Sequence, residues 1–191
     1  MTDHLPDELV AGLVRLLSPT AEGEDLFTGV AQPGGVGRVF GGQVIAQGLR
    51  CAGATAAPDQ QAHSLHAYFL RGGEEGKPIG YRVERQFDGR SFASRRVVAE
   101  QDGTAILTMS VGFQRPEDGV SHQEATMPHV PDPDSLIADG ERMRQLVERK
   151  GDAMTPAQRA WMTRPRPVEF RNCHPDRWGS RNKHPPRAAS W

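Results

Sequence analysis

A chain of 191 residues has room for one ordinary domain and part of a second. Its 23 Lys+Arg against 24 Asp+Glu leave a formal charge of −1, which excludes the broad basic field that nucleic-acid binding needs. The two cysteines, Cys51 and Cys173, lack metal-ligand spacing, the opening "MTDHLPDELV" is acidic where a leader is basic, and no apolar run nears the ~20 residues of a membrane span, so a reduced, cytoplasmic setting without membrane contact is expected.

In chain order, "DELVAGLVRLL" (7–17) places Leu9, Leu13, Leu16 and Leu17 at helical spacing. "DLFTGVAQ" (25–32) is short enough for a first strand. A glycine-rich loop over 34–42 leads into a helix from Gln43 to Ala56, whose Val44, Ile45, Gly48, Leu49 and Ala52 repeat at three and four. Ala46, Cys51 and Ala54 make this helix small or apolar nearly all round, which predicts burial on every side. "HSLHAYFLR" (63–71) then switches to period two with both faces largely apolar, as in a central strand covered on both sides. "IGYRVERQF" (79–87) alternates cleanly, "SFASRRVVAEQ" (91–101) follows the Asp88-Gly89 turn, and Asp102-Gly103 is primed-turn chemistry before "TAILTMSVGFQ" (104–114).

An antiparallel meander with one apolar face needs a cover, and the helix at 43–56 is the one apolar enough to supply it. Small side chains let a curved sheet wrap it closely. The expected fold is therefore α+β, a hot-dog: a sheet bent round a long central helix. Residues 1–24 read as an N-terminal helix and lead-in, 25–115 as the hot-dog domain, and 116–165 as a proline-rich linker with helices near 135–150 and 155–164. Residues 166–191 begin with a further strand, 166–173, and read as the start of a second, incomplete hot-dog.

Gly41-Gly42 at the start of the central helix is a costly pair unless something approaches the backbone there. A helix N-terminus offers free N–H groups and the positive end of the macrodipole, which suit an approaching oxygen or anion. From the spacing alone, close packing of strand on helix is the favoured explanation of the same pair. Gln43 and Gln47 can orient a water but cannot accept its proton, and the helix contains no Asp or Glu. His63 and His66 flank the strand at 63–71, with His63 the weak candidate for a base. Ser64 and His66 lack a third group to orient the imidazole. Arg71 and Arg90 are candidates for phosphate contacts. Arg95 and Arg96, as strand neighbours, must point to opposite faces, one of them paired with Glu84 or Glu100 or in solvent.

The strings "VFGGQVIAQGL", "HSLHAYFLR", "DGRSFASRRV", "FQRPEDG", "TMPHVPDPDSL" and "RPVEFRN", in this order over about residues 25–173, closely resemble the acyl-CoA thioesterase II family. The resemblance implies a double hot-dog fold, of which 25–115 is similar to the first repeat, while "RPVEFRN" and "RAASW" resemble strands opening the second. It implies hydrolysis of acyl-CoA to free acid and coenzyme A by water, with coenzyme A present as part of the substrate and no other cofactor or metal. The family's catalytic aspartate, threonine or serine, and glutamine belong to second-repeat segments with no matching position here, so no catalytic residue is carried over and little activity is expected of this chain alone. The substrate-binding set is then Gly41, Gly42, Gln43, His63, Arg71 and Arg90. A module that binds acyl-CoA without hydrolysing it, or docks with another hot-dog through its exposed sheet as a homo-oligomer, is the alternative; a hydratase would want an Asp/His pair near the glycine loop, and no aspartate lies between Asp25 and Asp59.

Overall fold

A computed structural model describes residues 6–31, 37–177 and 180–191. The first part of the loop expected over 34–42 lies outside the described residues. The chain divides into two compact units, one spanning Ala11–Val120 and the other formed by residues through Val10 with Ser121–Trp191.

The first unit is built on one sheet. Helix α1 (Pro6–Leu16) leads into the short strands β1 (Thr20–Gly23) and β2 (Leu26–Gly29); then come helix α2 (Gly41–Ala54) and strands β3 (Gln61–Phe69), β4 (Ile79–Asp88), β5 (Phe92–Gln101) and β6 (Thr104–Gln114). Every pairing is antiparallel, in the order β1-β2-β4-β5-β6-β3. Alternation along β4 and β5 puts Ile79, Tyr81, Val83, Ala93, Val97 and Ala99 inward, where they pack with Val44, Cys51 and Ala52 of α2. Gly48 faces the sheet, where a Cβ would meet Met109 Cε, the movable end of that side chain, at 2.9 Å. Asp102 (φ 49°) and Gly103 (φ 73°) are both left-handed, the geometry of a primed hairpin turn. The α+β hot-dog arrangement expected from the element order is the one observed.

Two expectations are corrected and one strand is added. The central helix is buried on one face only: Gln43, Val44, Gln47, Gly48, Cys51 and Ala52 are buried, whereas Gly42, Arg50, Gly53 and Ala54 are exposed. Its small side chains look apolar from every direction in sequence, yet a single sheet can wrap only one side. The strand at 63–71 is not central: β3 lies at the sheet edge, paired with β6, and Leu65, Tyr68, Phe69 and Leu70 are exposed. A period-two pattern with two apolar faces specifies a strand without saying whether a neighbour pairs on each side. Strand β1 carries no apolar alternation, with all four residues exposed, and sequence reading missed it.

In the second unit, α3 (Asp139–Lys150) starts later than expected because Asp132-Pro133-Asp134-Ser135 forms a separate turn, with Asp132 accepting from the Asp134 amide at 2.9 Å. Helix α4 (Pro156–Thr163) begins with a full capping box: Thr155 Oγ1 accepts from Gln158 N at 3.2 Å, and Gln158 Oε1 accepts from Thr155 N at 2.8 Å. Residues 166–173 do not form the expected strand. Their backbone meets the end of the chain only at Arg171 and Cys173, which bond to Trp191 and Ala189 at 3.0–3.1 Å, too short a ladder for a named strand.

Candidate functional site at the N-terminus of the central helix

A cavity of about 360 Å³ lies in the first unit where α2 begins. Gly41 and Val44 come from α2, Phe69 from the end of β3, Arg71, Gly72 and Gly73 from the loop after it, and Ile106 and Leu107 from β6. Arg38 and Val39 close the rim from the segment before α2. This volume falls within the usual range of ligand pockets. Three walls converge because β3 pairs with β6 in the register Phe69↔Leu107, and because Val39 N donates to Gly73 O at 2.9 Å.

The charge in this cavity is one-sided. No acidic side chain lines it among the described residues, whereas Arg38 and Arg71 both do. Arg71 is steadied by a 3.0 Å bond from Nη1 to Ala105 O. The nearest carboxylate in sequence, Glu74, is held by Lys77 at 2.9 Å, and Lys77 also binds Asp102 at 2.8 Å. Those two carboxylates raise the Lys77 pKa. A larger cavity of about 680 Å³ in the second unit is walled by Asp139, Glu141 and Glu169 as well as arginines, with Arg164 and Arg166 already lying over the Trp161 ring at 5.3 and 5.9 Å. Mixed charge makes it the poorer anion site.

At α2 itself, Gln43 N and Val44 N bond to Phe40 O, so the first-turn amides of Gly41 and Gly42 are the ones without an intrahelical carbonyl. No side-chain cap serves this end. The groups that approach the bare backbone are the chain's own aromatic rings: a Cβ on Gly41 would lie 2.7 Å from Phe69 Cζ, and one on Gly42 would lie 2.5 Å from Phe40 Cε1. Both rings are more than half exposed, at 56% and 78%. The glycine pair lets these two rings rest against the backbone at the start of α2.

The structure divides the six expected site residues between two ends of the sheet. Gly41 and Arg71 share the cavity, and Gly42 adjoins it. The side chain of Gln43 is buried, with Nε2 donating to Val30 O at 2.6 Å, so its amide serves the fold. Gln47 goes further: fully buried, it donates to Leu16 O at 2.6 Å and Val30 O at 3.0 Å and accepts from Tyr81 OH at 2.6 Å. No water-orienting group remains on it, which corrects the expectation for Gln47. His63 sits where the β3–β6 register slips between Ala62 and Ser64, against Phe92 and over Gly112. Arg90 lies in the β4–β5 turn, at the same end. Since Phe69↔Leu107 and Ala62↔Phe113 are six residues apart along β6, His63 and Arg90 stand about 20 Å from the cavity. His63 cannot reach a group bound at Gly41, and His66, paired opposite Ser110, lies on the strand face opposite Phe69.

Arg95 and Arg96 do face opposite ways. Arg95 is buried at the C-terminal end of α2 and Arg96 pairs with Glu84 at 3.2 Å in solvent, so neither meets a ligand in the cavity. Arg38 was missed in sequence because it sits in a glycine-rich loop with no periodic signal; only its place two residues before Phe40 could have drawn attention to it.

Residues 30–114 match the family described as acyl-CoA thioesterase N-terminal domain. The chain is 36% identical over 141 residues to acyl-CoA thioesterase 2 of Haemophilus influenzae, covering 74% of this chain and 49% of that protein. It is 39% identical over 114 residues to human acyl-coenzyme A thioesterase 8, covering 60% of this chain and 36% of that protein. It therefore spans about half the length, or less, of these curated relatives. Among solved structures, acyl-CoA thioesterase II TesB2 from Mycobacterium marinum superposes with a TM-score of 0.58 at 39% identity, over 64% of this chain and 45% of that one. A hot-dog protein from Alicyclobacillus acidocaldarius gives 0.65 at 21% identity, over 84% and 55%, and shares the fold alone. The family match, with the shared sheet and helix, places an acyl-CoA thioesterase N-terminal domain of hot-dog fold at residues 30–114 of this chain.

Proposed function

We propose that this chain is the acyl-CoA-binding half of an acyl-CoA thioesterase, acting in fatty acid metabolism on acyl-CoA, with coenzyme A entering as part of the substrate and no further cofactor. The observation that carries the reading is the pair of uncapped amides at Gly41 and Gly42 opening beside a cavity with an apolar wall. A thioester oxygen placed there meets N–H donors and the positive end of α2, and one such donor is typically worth about 3 kcal/mol in the transition state. Val39, Val44, Phe69 and Ile106 offer the acyl chain a dry surface. Coenzyme A keeps its phosphates a pantetheine arm away from the thioester. Arg90, about 20 Å along the sheet, suits them better than Arg71 does.

Hydrolysis also needs a proton acceptor near the carbonyl, and α2 holds no Asp or Glu. Binding with little turnover is therefore expected of the 191-residue chain. Incubating it with acyl-CoAs of several lengths while following thiol release, alongside calorimetric titration with a non-hydrolysable thioether analogue, tests this. Micromolar analogue binding with weak or no release supports the reading; no analogue binding overturns it. A cytoplasmic, reducing location agrees with the free, buried state of Cys51 and Cys173. Among the described residues no helix is long and apolar enough to cross a membrane.

The exposed edge of β3 favours a second element of the reading, docking of another hot-dog sheet there. A strand edge with open N–H and C=O groups and exposed Leu65 and Tyr68 is a template for strand addition. A second copy of this chain is the simplest occupant, and the Discussion gives its test.

A further inference from the structure

Resting on that acyl-CoA reading, we infer that the cavity bounded by Arg38 and Arg71 is a binding site for a free fatty acid, the carboxylate product, and that the chain retains this product. Three features lead there. The first is charge: two guanidinium groups, from segments 33 positions apart, line one small cavity that has no carboxylate in its wall among the described residues. Neither is ion-paired to a described residue, and guanidinium matches a carboxylate through paired N–H donors.

The second feature is how Arg38 is placed. Its side chain lies across the Gly72 backbone, where a Cβ would come within 3.1 Å of Arg38 Cδ and 3.2 Å of Nε. Gly72 follows Arg71 directly, so this bare backbone seats one guanidinium next to the residue carrying the other. A methyl group at 72 would push the Arg38 side chain by a few tenths of an ångström while leaving its charge intact.

The third feature separates a carboxylate from a phosphate. The guanidinium groups adjoin the apolar wall formed by Val39, Val44, Phe69 and Ile106 within about 360 Å³. In coenzyme A the charged phosphates stand a full pantetheine arm from the acyl chain, so a single small cavity cannot hold both. In a fatty acid the charge terminates the chain itself. A molecule whose anionic head adjoins its tail fits an apolar wall rimmed by two arginines. Hydrolysis of acyl-CoA by a complete enzyme yields that molecule: water adds oxygen to the acyl carbon, the C–S bond breaks, the thiol leaves with coenzyme A, and the acid loses its proton to solvent.

The test is titration of the whole chain with dodecanoate below its micelle concentration, in parallel with dodecanol, coenzyme A and a dodecyl thioether analogue of acyl-CoA. Dodecanoate is expected to bind about tenfold tighter than dodecanol, and Arg38→Gln and Arg71→Gln each to weaken it about tenfold while leaving the melting temperature and dodecanol affinity unchanged. Gly72→Ala, which retains both charges, is expected to weaken dodecanoate in the same direction as Arg38→Gln. Dodecanoate should displace the thioether analogue, whereas coenzyme A alone should not displace dodecanoate. Equal affinity for dodecanol and dodecanoate, or displacement of dodecanoate by coenzyme A, overturns the carboxylate assignment. Analogue binding without dodecanoate binding overturns this inference alone; failure of both ligands to bind overturns the acyl-CoA reading with it.

Discussion

Nε of Arg95 donates a 2.8 Å hydrogen bond to the hydroxyl of Thr55, the residue that closes α2. Nη2 reaches Thr55 O at 2.8 Å and Asp88 Oδ1 at 2.5 Å, while Nη1 serves Phe87 O and Ser94 O at 3.0 and 2.9 Å. All five N–H donors of a buried guanidinium are thereby used, and its charge sits at the negative end of the helix. Helix α2 is tied down by a cation at one end and left open at the other, which is where a ligand can be received.

Replacing Arg95 with lysine keeps the charge but loses the fork. The expected cost is about 2–3 kcal/mol in urea or thermal unfolding. Arg96→Lys, at an exposed pair with Glu84, should stay within about 0.5 kcal/mol. Equal effects at the two positions would contradict the assignment of Arg95 as the inner, helix-closing residue.

Tyr81→Phe should destabilise by about 1–3 kcal/mol, because it strips the donor from Gln47 Oε1 in a dry interior. Gly29→Ala strikes the same knot from another side, since its new Cβ would fall 2.6 Å from Gln47 Oε1. Chemical denaturation of the two single variants and the double variant checks this: their effects should be less than additive, as expected for residues sharing one partner.

Cys51 is buried and its thiol pKa is pushed up to about 12 by loss of solvation, from an ordinary value of 9.0. Folded protein should therefore resist thiol reagents at pH 8 at this position and react only on unfolding. The raised value favours the neutral thiol in the folded state, so between about pH 9 and 12 the unfolded chain releases a proton that the folded chain keeps. Stability falls as pH rises through that window, and Cys51→Ala should flatten the fall in denaturant midpoints measured across it.

If a second copy docks on β3, Leu65→Lys combined with Tyr68→Lys should convert a concentration-dependent dimer into a monomer in sedimentation velocity, with the melting temperature unchanged at concentrations where the wild-type chain is itself monomeric. Both side chains are exposed in the single chain, so they are not needed for its folding. A wild-type chain that sediments as a monomer at every concentration would refute the docking.

Much of the fold is legible in the sequence because period reports element type: β4, β5 and β6 alternate, α2 repeats at three and four, and Asp102-Gly103 names its turn. Position in the sheet is different, since hydrogen-bonding neighbours leave no mark in a strand's own pattern, and β3 reads as a central strand for that reason. The site is legible only in part. Gly41, Gly42 and Arg71 stand out by type, but Gln43 and Gln47 look available in sequence and prove to be spent on Val30, Leu16 and Tyr81. Arg38 becomes visible only once Gly72 is seen beneath it.

The central claim is that the acyl end of the substrate, rather than its nucleotide, lies at the beginning of α2. Amide chemical shifts of the labelled chain, recorded with an acyl thioether analogue of coenzyme A and separately with coenzyme A alone, test it most directly. Perturbations seen only with the acylated ligand are expected at Gly41, Gly42, Phe69 and Arg71. Acyl-dependent perturbations gathered instead around His63, Arg90 and Phe92 would contradict it.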